Sequence, residues 1–221
     1  MTHTDDDHGH THDHATPHPT REDDDLEMTP AEAKFLALKE MLIEIGMVTP
    51  AEIMQRLEYN SRGTPHYGAK MIVKSWLDPE FKKLALNDGR AAAQALGIEI
   101  TDAELMVIEN TPQTHNLVVC TLCSCYPRWL LGEPPAWYVS KAYRSRAVKE
   151  PRQVLKEFGL SFPEEIEVRV HDSNADLRYI VMPMRPEGTE GMSEEELVAL
   201  IPRDALVGAA LPGQPSGTVT L

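Results

Sequence analysis

Leu105-Met106-Val107-Ile108-Glu109-Asn110-Thr111-Pro112-Gln113-Thr114-His115-Asn116-Leu117-Val118-Val119 is where the texture of the chain changes. Leu105 to Ile108 and Leu117 to Val119 read as short buried strands, and Asn110-Thr111-Pro112 marks a turn between them. Every segment before them carries helix signals instead. Thr29-Pro30-Ala31-Glu32 joins a capping Thr, a first-turn Pro and a Glu that completes a capping box, with Phe35, Leu38, Leu42 and Ile45 following at helical spacing until Gly46. The same four letters recur at Thr49-Pro50-Ala51-Glu52, ahead of Ile53, Met54 and Leu57. Further helices are expected from about Tyr67 to Leu77 and from Pro79 to Leu96, with Gly97 as the stop.

On the C-terminal side, Trp137 to Phe158 is mostly helical in pattern, with a break or fresh first turn at Pro151 and Gly159 closing it. Glu165 to Val170 alternates Ile166, Val168 and Val170 with charged residues, and Leu177 to Met182 is similar. His171-Asp172-Ser173-Asn174 between them reads as a hairpin-like loop. Ser193-Glu194-Glu195-Glu196 is another capping box, opening a short helix before a final strand over Ala205 to Leu211. Helices first and strands later predict an α+β fold, with a helical N-terminal arm over residues 28–100 followed by a layered α/β domain over residues 101–221.

At 221 residues and 42% hydrophobic, the chain is long enough for one sizeable core or for a domain plus an arm. Its formal net charge of −14 disfavours binding driven by phosphate neutralisation, so nucleic acid is not an expected partner. No apolar run approaches the roughly 20 residues that span a bilayer, and the N-terminus is acidic instead of basic then apolar. The expected location is the cytoplasm. Residues 1–27 hold His3, His8, His10, His12, His14 and His18 among Asp, Thr and Pro, with almost nothing to bury, and are expected to be a disordered tail. That tail reads either as a weak store or delivery arm for divalent cobalt, nickel or zinc, or as a solvated segment with incidental metal affinity.

The chain has three cysteines, Cys120, Cys123 and Cys125, all within six residues. A secreted disulfide framework would spread an even number along the sequence, and a bridge closing so short a loop would be strained and would tie down little chain entropy. A metal site is the sharper reading. Cys123-Ser124-Cys125 can offer four donors in one plane, namely two thiolate sulfurs and the deprotonated backbone nitrogens of Ser124 and Cys125. The chelate rings are six-, five- and five-membered. Cys120 can then supply an axial thiolate, leaving a sixth position open. Deprotonating an amide demands a strongly Lewis-acidic ion, which excludes Ca²⁺ and Mg²⁺ and disfavours tetrahedral Zn²⁺. Trivalent cobalt or iron fits best. A closed zinc site wants a second ligand pair, and after the cluster the chain has no further Cys and only His171; completion by the His-rich tail is the remaining zinc alternative.

Val118-Val119-Cys120-Thr121-Leu122-Cys123-Ser124-Cys125-Tyr126-Pro127 resembles the metal claw of nitrile hydratase alpha subunits and of the related metal-binding subunit of thiocyanate hydrolase. The resemblance extends through Ser75-Trp76-Leu77-Asp78-Pro79, Glu109 to Pro112, Pro134 to Tyr138, Tyr143 to Arg146, Glu150 to Arg152 and Arg185 to Gly191, and so covers about residues 30 to 211. It implies that residues 101–221 are the metal-binding catalytic domain, with Cys120, Cys123, Ser124 and Cys125 as the ligand set. Thr121 and Tyr126 imply low-spin Co(III) over iron, Cys123 becoming a sulfinate, Cys125 a sulfenate and Cys120 staying a thiolate. The implied chemistry is hydration of a metal-bound nitrile to its amide by water or by the Cys125 sulfenate oxygen, with Ser124 near the reacting water or fixing the claw. The implied partners are a beta subunit whose arginines hold the oxidised sulfurs, forming a heterotetramer with two of each chain, and an activator protein that loads the metal.

Several residues carry two readings. His115 is near the claw, yet a lone His in a strand-entry turn is more often a structural hydrogen-bonder. Arg144 and Arg146 either meet carboxylates at a subunit interface or form a solvated face. Trp76, Trp129, Trp137 and Tyr138 read as packing, with Trp129 the best candidate for a substrate contact. Arg128 after Pro127 and Thr101-Asp102-Ala103 depart from many cobalt nitrile hydratases. Arg128 and the Arg178 segment are shared with the thiocyanate hydrolase branch, which keeps that activity as the enzymatic alternative. A metal-trafficking or zinc-structural protein is the alternative outside enzymes.

Overall fold

The computed structural model describes residues 29–61, 63–123 and 125–213; the expected tail over residues 1–27 lies outside them, as does Ser124. Both expected capping boxes open helices. In α1 (Pro30–Glu44) the Glu32 amide donates to Thr29 Oγ1 at 3.2 Å, and in α2 (Pro50–Ser61) the Glu52 amide donates to Thr49 Oγ1 at 3.2 Å. Neither cap implies tertiary packing: α1 has no buried residue, and Phe35 and Ile45 are 68% and 60% exposed.

The core begins at α3 (Pro65–Leu77), which buries Met71, Ile72 and Val73. The single helix expected over Pro79 to Leu96 is two, α4 (Pro79–Asn87) and α5 (Gly89–Ala95). Asp88 divides them: its amide closes α4 on the Leu84 carbonyl at 2.8 Å, and its carboxylate accepts the Ala91 amide at 2.8 Å to cap α5. Gly89 makes the close approach possible, since a Cβ there would lie 2.5 Å from the Leu105 carbonyl oxygen.

Four strands follow, β1 (Glu104–Glu109), β2 (Thr114–Val119), β3 (Glu167–Asp172) and β4 (Leu177–Met182). They form two parallel pairs, β1 with β4 and β2 with β3. The expected hairpin-like loop at His171 to Asn174 is therefore wrong. His171 and Asp172 belong to β3, and Ser173 to Asp176 step from one pair to the other, as Asn110 to Gln113 do between β1 and β2. The physical reason is burial: β2 is covered along almost its whole length, and a parallel pair needs a long crossover, here made of helices. That crossover is α6 (Arg128–Leu131), α7 (Ala136–Val139), α8 (Lys141–Lys149) and α9 (Pro151–Glu157). The break expected at Pro151 is present, with Pro151 opening α9, and a further break falls at Ser140, which caps α8.

A buried polar network ties these pieces together. His115 Nε2 meets the Gly208 carbonyl at 2.8 Å while its Nδ1 faces Asn110 Nδ2 at 3.2 Å. The carbonyl partner requires the proton on Nε2, so Nδ1 accepts from Asn110 and the ring is neutral. Asn110 Oδ1 accepts the backbone amide and side-chain amide of Asn116 at 2.8 and 2.9 Å, and His171 Nε2 meets Asn116 Oδ1 at 2.8 Å.

The capping box at Ser193 opens α10 (Glu194–Ala199) as expected. The strand expected over Ala205 to Leu211 is instead a 3-10 helix, Arg203–Val207, ended by Gly208 at φ +84°. A short apolar run is compatible with either element, and here its carbonyls serve the core: a Cβ on Gly208 would sit 1.9 Å from the Asn116 carbonyl oxygen. No helix among the described residues is long and apolar enough to cross a membrane.

Candidate metal centre

Parallel pairing puts Val119, the last residue of β2, opposite Asp172, the last of β3. The cysteine cluster starts one residue later. Cys120 is fully buried against the strand end, Cys123 is exposed and Cys125 is partly buried, and none is in a disulfide. Their three Sγ atoms lie within 4.8 Å of one another, with Cys120 to Cys123 at 3.6 Å and Cys123 to Cys125 at 2.9 Å. The Cys123 amide donates to Cys120 Sγ at 3.3 Å. Three soft donors converging this closely on one side of a loop fit a thiophilic transition metal.

The turn is held from outside by Asp172, which accepts the Thr121 amide on Oδ1 at 2.9 Å and the Thr121 hydroxyl on Oδ2 at 2.6 Å. Its far end is held by Tyr138, whose hydroxyl donates to the Cys125 carbonyl at 2.9 Å. Tyr143, fully buried, donates to the Val118 carbonyl at 2.6 Å and so steadies the strand that delivers Cys120. Burial raises the pKa of both tyrosines, keeping them neutral donors.

The thiols differ electrostatically. Burial works to raise Cys120, but the amides of Cys123, Cys125 and Leu122 and the Cys123 side chain outweigh it, and its pKa falls below the usual thiol value. Cys125 is pushed up to about 12 by burial and by its hydrogen bond with Cys123, with the Arg178 charge opposing. Cys120 is thus the readier thiolate. Beside Cys125 opens a cleft of about 200 Å³ lined also by Arg56, Asp102, Arg128, Trp129 and Arg178. Arg56 pairs with Asp102 and Arg128 with Glu133, while Trp129 Nε1 donates to Asp102 at 2.9 Å.

The structure therefore brings together Cys120, Cys123 and Cys125, and Ser124 lies outside the described residues. His115 is a buried hydrogen-bonder, as expected, stacked on Phe162 with centroids 4.3 Å apart. Arg146 meets its carboxylates within the chain, forking onto Glu157 at 2.9 and 2.6 Å and reaching Glu150 at 2.5 Å. Trp76 and Trp137 pack: Trp76 Nε1 donates to the Pro183 carbonyl at 2.9 Å, and Trp137 meets Tyr143 and Phe158 edge-on. Trp129 does reach the cleft, and Tyr138 touches the claw itself, which its reading as packing alone missed. Asp172, Arg56 and Asp102 were also missed. Only strand pairing places Asp172, and a separate helix supplies Arg56.

A family described as the nitrile hydratase alpha chain matches residues 29–210. The cobalt-containing nitrile hydratase subunit alpha of Pseudonocardia thermophila is 49% identical over 179 residues, 80% of this chain and 88% of that one. A solved thiocyanate hydrolase variant superposes with a TM-score of 0.77 at 42% identity, covering 84% of this chain and 91% of its own. An Fe-type nitrile hydratase variant from Comamonas testosteroni Ni1 gives 0.74 at 40%, covering 86% and 97%. With the claw geometry and matches of this length and identity, the chain belongs to the nitrile hydratase alpha-chain family.

Proposed function

We propose that this chain is the metal-binding subunit of a nitrile hydratase that converts a nitrile to its amide at a cobalt centre, in complex with a beta subunit. The observation that carries the reading is the convergence of the Cys120, Cys123 and Cys125 sulfurs within 4.8 Å beside an open cleft. The ligand set is those three sulfurs with the backbone nitrogens of Ser124 and Cys125. The ion is low-spin Co(III), Cys123 a sulfinate and Cys125 a sulfenate. When bound, the metal supplies Lewis acidity that activates the nitrile carbon toward water.

The chain's own residues do the rest. Asp172 fixes the first half of the claw through Thr121, and Tyr138 fixes the second through the Cys125 carbonyl. Cys125 and Ser124 are the residues assigned to the reacting water. Arg178 sets positive charge toward the Cys125 sulfur. Helices α1 and α2 form the arm, α3 to α5 pack into one core with the metal-binding domain, and the exposed Phe35, Leu38, Met41, Met54 and Leu57 of α1 and α2, with Ile45 at the end of α1, are the surface offered to the beta subunit. Two copies of each chain assemble in the cytoplasm after an activator protein loads the cobalt.

The test is turnover by the purified complex on a neutral nitrile and on thiocyanate, with elemental analysis and a mass of the Cys120 to Arg128 peptide. Amide formation with one cobalt per chain and three added oxygens is expected. A second reading, thiocyanate hydrolysis, is favoured by the Arg56, Arg128 and Arg178 side chains around the cleft, which suit an anion. Turnover of thiocyanate alone would establish it in place of the first. Zinc with unoxidised cysteines would instead indicate a structural or metal-trafficking role.

A further inference from the structure

The end of β3 reaches the claw twice. Asp172 holds Thr121, and the next residue, Ser173, donates its backbone amide at 2.7 Å to the carbonyl of Val119, the residue before Cys120. Ser173 is 1% exposed, and its Oγ is buried without a well-aligned hydrogen bond among the described residues. A hydroxyl in such a place is costly unless it serves a neighbour, and alanine would occupy the space without that cost.

The neighbour it acts on is Tyr138. The rings of Tyr126 and Trp137 pack edge-on against that of Tyr138, at 4.8 and 5.8 Å between centroids, and hold its hydroxyl in place. A phenol has a single O–H, and this one is committed to the Cys125 carbonyl at 2.9 Å, so toward Ser173 the phenol oxygen can only accept. The electrostatics agree in sign. Burial raises the Tyr138 pKa most strongly, and the Ser173 side chain opposes it, as a donor to the phenol oxygen does. The order is therefore Ser173 O–H to Tyr138 O–H to Cys125 C=O, in which each donor polarises the next.

We propose that Ser173 is a positioning residue for the cysteine claw, acting through Tyr138 on the Cys125 carbonyl. Asp172 and Ser173 thus hold both halves of the loop from one strand end. The proposal rests on the metal-centre reading only in the second of the two measurements that test it.

The first measurement needs no metal. Amide hydrogen exchange of the Cys120 to Arg128 peptide is followed by mass spectrometry in the full chain, for the parent, Ser173→Ala, Tyr138→Phe and the double variant, with far-ultraviolet circular dichroism as the check on folding. Ser173→Ala is expected to raise the exchange rate about threefold or more, and to add nothing in the Tyr138→Phe background. An unchanged rate overturns the proposal, as do effects of the two substitutions that multiply. Should Tyr138→Phe fail to fold, the Ser173→Ala rate alone decides. The second measurement follows cobalt content and the sulfur-to-cobalt absorption of the beta-bound complex. Ser173→Ala is expected to shift the absorption and to lower cobalt retention about twofold or more, again only where Tyr138 is intact. An identical spectrum and cobalt content overturn the role at the metal. If no complex takes up cobalt, parent included, the metal-centre reading falls, and the exchange rates still decide for or against Ser173.

Discussion

The N-terminal helices and the strand core are both read from local signals, yet they hold their structure by different means. In α1, every hydrogen bond that defines the helix is made within a few residues, including the Thr29 and Glu32 box, and the apolar stripe faces outward. In β2, no backbone bond of the ladder is local; Leu117, Val118 and Val119 are fully buried and their partners lie about 50 residues away in β3. Helix α1 has structure without a buried residue, and the strand core has packing that creates the site. A helix of this kind contributes stability mainly once its apolar face is covered.

The largest effect separating the two is chemical. Cys120→Ser in the beta-bound complex is expected to lose the metal and bring turnover to background, read by elemental analysis beside the amide assay. Next comes packing. Leu206→Ala or Leu117→Ala in the core should cost about 2–5 kcal/mol in denaturant unfolding, whereas Leu38→Ala in α1 should stay within about 0.5 kcal/mol for the isolated chain. Equal losses at both places would erase the distinction.

Asp172→Asn removes one acceptor from Thr121 while keeping the size of the side chain. A hydrogen bond to a charged group is worth about 1.5–3 kcal/mol, so metal retention or turnover should fall about tenfold or more, with the melting temperature lower by a few degrees. An unaltered claw in this variant would show that Asp172 does not position it.

The smallest effect concerns pH. Burial lowers the pKa of His115 and His171, so the folded chain binds these protons less readily than the unfolded chain does. The stability they support is whole above the ordinary value of 6.5 and is lost as pH falls through and below it. Buried Asp204, whose pKa is raised by burial, works in the opposite direction at lower pH. Thermal unfolding between pH 7.5 and 5.5 should show a decline that His115→Gln makes shallower.

Much of this was legible in the residues. Thr29, Thr49 and Ser193 each announced a helix start because capping is a contact over three residues. The claw was legible for the same reason, since a chelate is made by neighbours. Four expectations failed where distance along the chain mattered. The hairpin at His171 to Asn174 and the strand at Ala205 to Leu211 gave way to long-range burial, and the helices over Pro79 to Leu96 and Trp137 to Phe158 were divided at Asp88 and Ser140, whose side chains cap the next helix, while the break expected at Pro151 is present.

The sequence by itself determined the α+β class, the helix starts and the three thiols able to meet one ion, all through contacts spanning a few bonds. Only the tertiary structure decided that β3 lies parallel to β2, and hence that Asp172 and Tyr138 grip the claw. Those partners are joined by pairing and burial across the molecule, which no local spacing encodes.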